Sequence, residues 1–278
     1  NDVSMAEAIT LTGQTAIRWA EESVNKTMQK LIGDEKDYVI AIDTDSLYIN
    51  FGPLVKKFSP KNPVAWLDQI CKEHFEPKIA DSYKELFDSF QCARPRMEMG
   101  REVIADVGIW TAKKRYILNV HNSEGVQYAE PKLKIMGIEA VKSSTPEPCR
   151  EKIKEGLKII MNGTEKELNT FIQKFREEFM TLPPEEIAYP RSVNGLSKFS
   201  DSNQLFAKGA PIHVKGAILY NHLVRKNKLS NKYPYILEGD KIKFINLKQP
   251  NLYQCSSISF ITSFPKELDF HKIIDYDI

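Results

Sequence analysis

The chain has 278 residues, enough for roughly two domains of about 150 residues each, and chains of this length bury roughly three-quarters of their unfolded surface. Its 42% hydrophobic and 27% charged residues are ordinary globular usage and exclude collagen, low-complexity disorder and a disulfide scaffold. With 39 Lys+Arg against 37 Asp+Glu, a formal +2, bulk charge does not mark a nucleic-acid binder; any such role must come from local clustering.

Ser4 and Glu7 predict a capping box, and Ile9, Ala16, Trp19, Ala20, Val24, Met28 and Leu31 recur at mostly helical spacing. A long amphipathic helix is therefore predicted over about 5–31. YVIAIDTDSLYINF predicts a hairpin, with strand 38–42, turn 43–46 and strand 47–51. Two shorter helical stretches are predicted within 63–90, broken at Pro77. From 97 to 141 the pattern is again β. The strand candidates are MEMGREVIA, KKRYILNV and VQYAEPKLKIM, the last two joined across 122–125.

SSTPEP at 143–148 breaks the composition, and a domain boundary is expected near 145. Two helices, about 148–161 and 164–180, follow. The second opens with a Thr164–Glu167 capping box, and its Leu168, Phe171, Ile172, Phe175 and Phe179 stripe predicts a core face. A short helix near 210–224 and a β-rich tail close the chain, and no internal repeat is found. The expected class is α+β: an antiparallel β unit with covering helices over 1–145, then a mainly helical part with a β-containing end over 146–278.

Cys71, Cys92, Cys149 and Cys255 form no C-x-x-C pair, so a zinc ribbon or thioredoxin motif is absent and reduced thiols in a cytosolic setting are expected. No run approaches the roughly 18 apolar residues of a membrane span. The N-terminal NDVSMAEAIT carries no signal peptide and no initiator Met, and implies a processed chain or part of a longer one. The five histidines show no H-E-x-x-H spacing. Walker and Rossmann loops and a G-x-S-x-G elbow are also missing.

Three features could carry chemistry. Asp43-Thr44-Asp45-Ser46 sits between two apolar strands. Two carboxylates converging at a hairpin tip repel unless a cation neutralises them, and a hard divalent ion with oxygen ligands, magnesium above all, would do so. The same residues are also standard turn formers. Lys113-Lys114-Arg115-Tyr116 follows Trp110 and places three cations at the start of a strand, where they must project onto both faces. A phosphate backbone or groove edge would meet them, and so would solvent at an edge strand, where lysines oppose aggregation. In EPKLKIMGIEAVKSSTP, Lys132, Lys134 and Lys142 alternate with apolar residues, and Ser143, Ser144 and Thr145 offer hydroxyls and N–H groups suited to phosphate. A plain strand running into a linker reads equally well.

In this order, DTDSLY, REVIA, KKRY and KLKIMGIE-VKSSTP resemble the family B DNA polymerases, most of all those of T-even bacteriophages. The resemblance covers nearly the whole chain. MAEAITLTGQTAIRW looks like the helix leading from the fingers to the palm, and SVNGLSKF with PIHVKGAILYN is similar to the thumb. It implies a palm portion over 1–145 and a thumb over 146–278. It implies that Asp45 is a catalytic carboxylate ligating two magnesium ions, that Asp43 adjusts the coordination beside it, and that Glu102 lies near the metals. Lys113, Lys114, Arg115 and Tyr116 would contact primer–template DNA near the primer end. Lys134 and Lys142, Ser143, Ser144 and Thr145 would hold the backbone at the palm–thumb junction.

Departures qualify the match. Ala41-Ile42 replaces the family's Tyr-Gly before Asp-Thr-Asp. The second metal-binding aspartate in its Ser-Leu-Tyr-Pro context and the nucleotide-gripping fingers helix are missing. The resemblance therefore implies an upstream polymerase fragment as a partner, whether this is part of a longer polypeptide or one subunit of a split enzyme. It also implies deoxynucleoside triphosphates as substrates, a sliding clamp as a further partner, no membrane, and the cytoplasm of an infected bacterial host. Two other readings stay open: a non-catalytic DNA-binding module, and a nucleotide-sugar transferase using Asp-x-Asp. The latter lacks the expected βαβ pattern and leaves KKRY unexplained.

Overall fold

The computed structural model describes residues 2–94, 96–201 and 203–276. The chain divides into two compact units, Asn1–Met136 and Gly137–Ile278. All paired strands are antiparallel and helices are interspersed among them, so the α+β expectation is met.

In the first unit, helix α1 (Val3–Ile32) is capped by Asp2, whose carboxylate accepts the Ser4 and Met5 N–H groups, and it ends at Gly33 in the left-handed region. The cap is thus Asp2, not Ser4; a carboxylate two residues nearer the chain start reaches the orphan donors first. Ala16, Ala20, Val24 and Met28 of α1 pack with Tyr38, Val39, Phe75, Ile79 and Tyr83. Strands β1 (Val39–Asp43) and β2 (Ser46–Ile49) form the expected hairpin, but with a tighter turn, because Asp43 pairs directly with Ser46. Helix α2 (Gly52–Phe58), unforeseen, begins with a proline in its first turn. Helix α3 (Pro63–Ile70) continues through a π-turn at Cys71–Phe75 into α4 (Glu76–Ser89). Pro77 does not break the helix there: it directly follows the π-turn, whose Glu76 N–H bonds the Cys71 carbonyl, and this wider turn accommodates the ring within a continuous helix.

The predicted strand over MEMGREVIA begins only at Val103. Residues 96–102 carry no regular structure; Arg101 is held instead by helix side chains, its N–H donating to Glu76 at 2.8 Å and its guanidinium pairing with Asp68. Strands β3 (Val103–Ala112), β4 (Arg115–Ser123) and β5 (Val126–Met136) make a meander with β4 central.

The second unit opens with a short turn of 3-10 helix, Glu139–Val141, that packs with helix α5 (Glu147–Asn162). The SSTPEP break therefore lies inside this unit. Helix α6 (Glu165–Phe179) has the predicted Thr164–Glu167 capping box. Its phenylalanine stripe is not core. No residue of α6 is buried, and Ile172 is 49% exposed. The stripe is half-buried: Phe171 closes on Gly156 of α5, and Phe179 packs at the edge of the unit's main core.

The core forms elsewhere, around helix α9 (Ile212–Lys226), where Val214, Ala217, Tyr220 and Val224 meet Ile258, Phe260 and Phe264. The short pieces α7 (Pro184–Ile187) and α8 (Leu196–Phe199) precede it. Strands β6 (Tyr189–Ser192), β9 (Lys241–Asn246) and β10 (Ser257–Phe260) form a sheet with β9 central. Strands β7 (Ser200–Asp201) and β8 (Leu205–Phe206) pair separately. Gly216 lets α9 approach β10 closely: a Cβ there would stand 2.7 Å from Ser259 Oγ.

Candidate functional site

The acidic turn is a two-residue loop. Thr44 adopts φ 56° and the Asp45 N–H donates to the Asp43 carbonyl at 2.7 Å. A β-branched residue in this region is strained. Asp43, the last residue of β1, accepts the Thr44 hydroxyl at 3.1 Å, while Asp45 receives only a long contact of 3.4 Å from Ser46 Oγ. The turn separates the two carboxylates: Asp43 is half-buried and Asp45 is exposed.

The basic turn is also a two-residue loop, but its left-handed residue is the second of the two. Lys113 and Lys114 form the loop between β3 and β4, with Ala112 paired to Arg115 and Lys114 at φ 60°. KKRY is therefore not a strand start with three projecting cations. Lys113 and Lys114 are exposed at a hairpin tip, and only Arg115 and Tyr116 enter β4. The two-residue loop follows from the tight Ala112–Arg115 pairing, which periodicity alone does not reveal.

Three aromatic rings hold the two tips together. Tyr48 of β2 stands edge-on to Trp110 (centroids 5.3 Å, 75°) and to Tyr116 (5.3 Å, 62°), and Trp110 and Tyr116 are cross-strand partners. Such edge-on pairs are favoured by the ring quadrupole. Gly108 makes room for the arrangement, since a Cβ there would lie 2.7 Å from the Trp110 ring. Burial pushes the Tyr48 phenol pKa up, and its hydrogen bond with Tyr116 and the nearby Asp43 and Glu102 carboxylates push it the same way. Tyr48 is a neutral phenol. Tyr116 itself is 5% exposed.

With the tips held, Lys114 Nζ lies 3.9 Å from Asp43 Oδ1. Glu102, just ahead of β3, pairs with Lys134 of β5. A cavity of about 720 Å³ opens beside them, lined by Asp45, Glu102 and Lys134 together with apolar residues such as Leu47, Leu67 and Trp110. The unit thus gathers Asp43, Asp45, Glu102, Lys113, Lys114, Arg115, Tyr116 and Lys134. Lys142, Ser143, Ser144 and Thr145 belong to the other unit, where Lys142 pairs with Glu139 at 3.0 Å and the Thr145 N–H donates to the Lys142 carbonyl at 3.1 Å.

Among the described residues no group of three or more His, Cys, Asp or Glu is arranged to hold a metal ion. Asp43 and Asp45 offer hard oxygen donors of the type magnesium prefers, and they amount to part of a coordination shell. Sequence reasoning missed Tyr48 and Trp110 as the residues that join the tips; a tyrosine and a tryptophan beside two charged turns are the signal that could have found them. It also missed that the carboxylates and lysines pair with one another.

No family model matches the chain. It is 32% identical over 284 aligned positions to the DNA-directed DNA polymerase of Enterobacteria phage T4, an alignment covering 96% of this chain and 31% of that protein. To the DNA-directed DNA polymerase of Escherichia phage RB69 it is 34% identical over 265 positions, 90% of this chain and 29% of that protein. The chain spans about a third of the length of the curated relatives it matches. Over nearly all of its own length, this chain is related in sequence to part of the T-even-type phage DNA polymerases of family B.

Proposed function

We propose that this chain is the palm–thumb portion of a DNA-directed DNA polymerase, with the palm in the first unit and the thumb in the second. The observation that carries the reading is the acidic tip of β1–β2 held beside the basic tip of β3–β4, Asp43 to Lys114 at 3.9 Å. Nucleotidyl transfer needs both: carboxylates for divalent cations and cations for the primer–template phosphates. Asp45, exposed on the cavity wall, would hold magnesium, with Asp43 beside it and Glu102 nearby. Magnesium, when bound, supplies the positive charge that stabilises the attacking and leaving oxygens.

The chain's own residues position the reactants. Lys113, Lys114 and Arg115 contact the duplex near the primer end, and Tyr116 anchors that turn from within the sheet. Lys134 and the segment Lys142, Ser143, Ser144 and Thr145 hold the DNA backbone. Catalysis of this transfer is mostly positioning and electrostatics. The remaining metal ligand and the nucleotide-binding helix belong to an upstream polymerase fragment, so the chain alone does not incorporate deoxynucleoside triphosphates. A sliding clamp is a further partner, and the host cytoplasm the place of action. Among the described residues no helix is long and apolar enough to cross a membrane.

The test is single-turnover incorporation by this chain combined with an upstream fragment, across a magnesium titration. Asp45→Asn should lower the rate by about 10²–10³; Asp43→Asn should cost less, and neither should abolish duplex binding. An unchanged rate for Asp45→Asn reduces the acidic tip to an ordinary turn. A non-catalytic DNA-binding module would then be the better reading.

A further inference from the structure

The acidic and basic tips belong to different sheets. Among the described residues β1 pairs with β2, and β3, β4 and β5 pair with one another, with no ladder between the two groups. Side chains therefore set where one tip stands relative to the other. The Asp43–Lys114 pair spans 3.9 Å with its lysine side chain 64% exposed, and such a pair holds little, because water screens it and two flexible side chains must be ordered. The other link is aromatic. In the apolar cluster around Tyr116, Leu118 and Val120, the partly buried Val103, Ala105, Trp110 and Tyr128 lie in the meander, and Tyr48 comes from the acidic hairpin. Its ring meets Trp110 and Tyr116 edge-on, each at a centroid distance of 5.3 Å, a geometry that adds to the gain from burial.

The contact lies just behind both tips. Tyr48 pairs with Ala41, two strand positions behind Asp43–Ser46, and the Trp110–Tyr116 pair stands behind the Ala112–Arg115 pair that closes the basic loop. We infer that Tyr48 is a positioning residue for nucleotidyl transfer: its ring, set against Trp110 and Tyr116, fixes the acidic tip against the duplex-holding lysines and so sets where the primer end falls relative to Asp45. Misplacing a reacting group by about 1 Å can cost about 10²-fold in rate. The lysines, resting on their own three-stranded sheet, keep their hold on DNA without it. The inference rests on the palm reading above and adds the residue that makes two unpaired sheets one site.

The test compares Tyr48→Phe and Tyr48→Leu in the full chain. Single-turnover incorporation with the upstream fragment, at saturating duplex and nucleotide, gives the rate per active complex. Fluorescence anisotropy of a labelled primer–template duplex with the chain alone, in EDTA, gives the affinity. Tyr48→Leu keeps apolar volume but loses the aromatic edges. It should slow incorporation about 10–100-fold while duplex affinity stays close to wild type. Tyr48→Phe, which keeps the ring, should match wild type in both. Tyr48→Met is the second variant should circular dichroism show the leucine one misfolded.

A near-wild-type rate for Tyr48→Leu, in an enzyme that Asp45→Asn disables, would overturn the positioning role and leave the palm reading standing. Equal losses of rate and duplex affinity would also overturn it, by showing a general folding role. So would a loss in Tyr48→Phe as large as in Tyr48→Leu, by assigning the effect to the hydroxyl. A wild-type combination that incorporates nothing would overturn the inference and the reading together.

Discussion

The loops Thr44-Asp45 and Lys113-Lys114 solve the same two-residue connection differently, with the left-handed residue first in the acidic loop and second in the basic one. Each joins two antiparallel strands with two residues, and each places a non-glycine residue at positive φ, 56° at Thr44 and 60° at Lys114. Glycine or asparagine is the usual occupant of such positions. Here the side chains are retained and the strain with them. They differ in support: the basic tip grows from a three-stranded meander, the acidic tip from an isolated two-stranded hairpin. A two-stranded hairpin is marginal by itself, so the geometry of the acidic tip depends on what it is packed against. Its carboxylates are placed by tertiary contact, while the lysines are placed largely by their own sheet.

Breaking that contact should have the largest effect. Tyr116→Ala removes a buried ring shared by both tips and should cost about 3–5 kcal/mol, the range for large aromatic truncations, as read by urea denaturation. Tyr116→Phe, keeping the ring and losing only the hydroxyl, should cost about 1 kcal/mol or less. If the alanine variant costs no more than the phenylalanine one, the ring is not what joins the tips.

Relaxing the strain sharpens the comparison from the other side. A left-handed Thr44 costs about 1–3 kcal/mol, and glycine returns part of that gain through its greater unfolded-state freedom, about 0.5–1 kcal/mol. Thr44→Gly should therefore stabilise the chain by about 0–2.5 kcal/mol, visible as a rise in the urea midpoint. A loss of stability would mean that the threonine hydroxyl bond to Asp43 outweighs the backbone strain.

The smallest effect belongs to an ion pair in the second unit that serves as a reference for a purely structural role. Glu267 accepts from both Lys232 and Tyr233, and these bonds, the Lys232 contact foremost, bring its carboxyl from an ordinary 4.5 down to about 2. A depressed carboxyl contributes stability that is present above its unfolded value and lost as pH falls from about 4.5 through about 2. Glu267→Gln should flatten that acid limb in a series of thermal melts. Unlike a change at Lys114, it should leave duplex affinity alone. An unchanged acid limb would show that the Glu267 pairing contributes nothing to folding.

Much of the molecule was readable from local pattern. The helices at α1, α5 and α6 follow apolar spacing, and the Thr164–Glu167 capping box appears as expected, because a cap depends on residues three apart. Less was readable where packing decides. The phenylalanine stripe of α6 has the spacing of a core face yet is half-exposed, since spacing specifies which side chains share a face and not what covers them. The named strand candidates stop at Ala105 and resume at Lys113, yet β3 runs on to Ala112 because β4 offers a partner. At the site, DTDS and KKRY were identifiable by residue type. Tyr48 and Trp110 were not, because their role exists only when two hairpins distant in sequence meet.

The sequence by itself determined the ingredients: an acidic turn between apolar strands, a basic turn between two others, and a motif order that resembles T-even-type polymerases. Charge, turn chemistry and strand alternation are properties of short segments and survive any arrangement of them. The tertiary structure decided that Lys114 faces Asp43 and Lys134 faces Glu102, and that Asp45 is exposed on a cavity wall. Those relations depend on ring packing and sheet pairing between residues tens of positions apart, which no local pattern encodes.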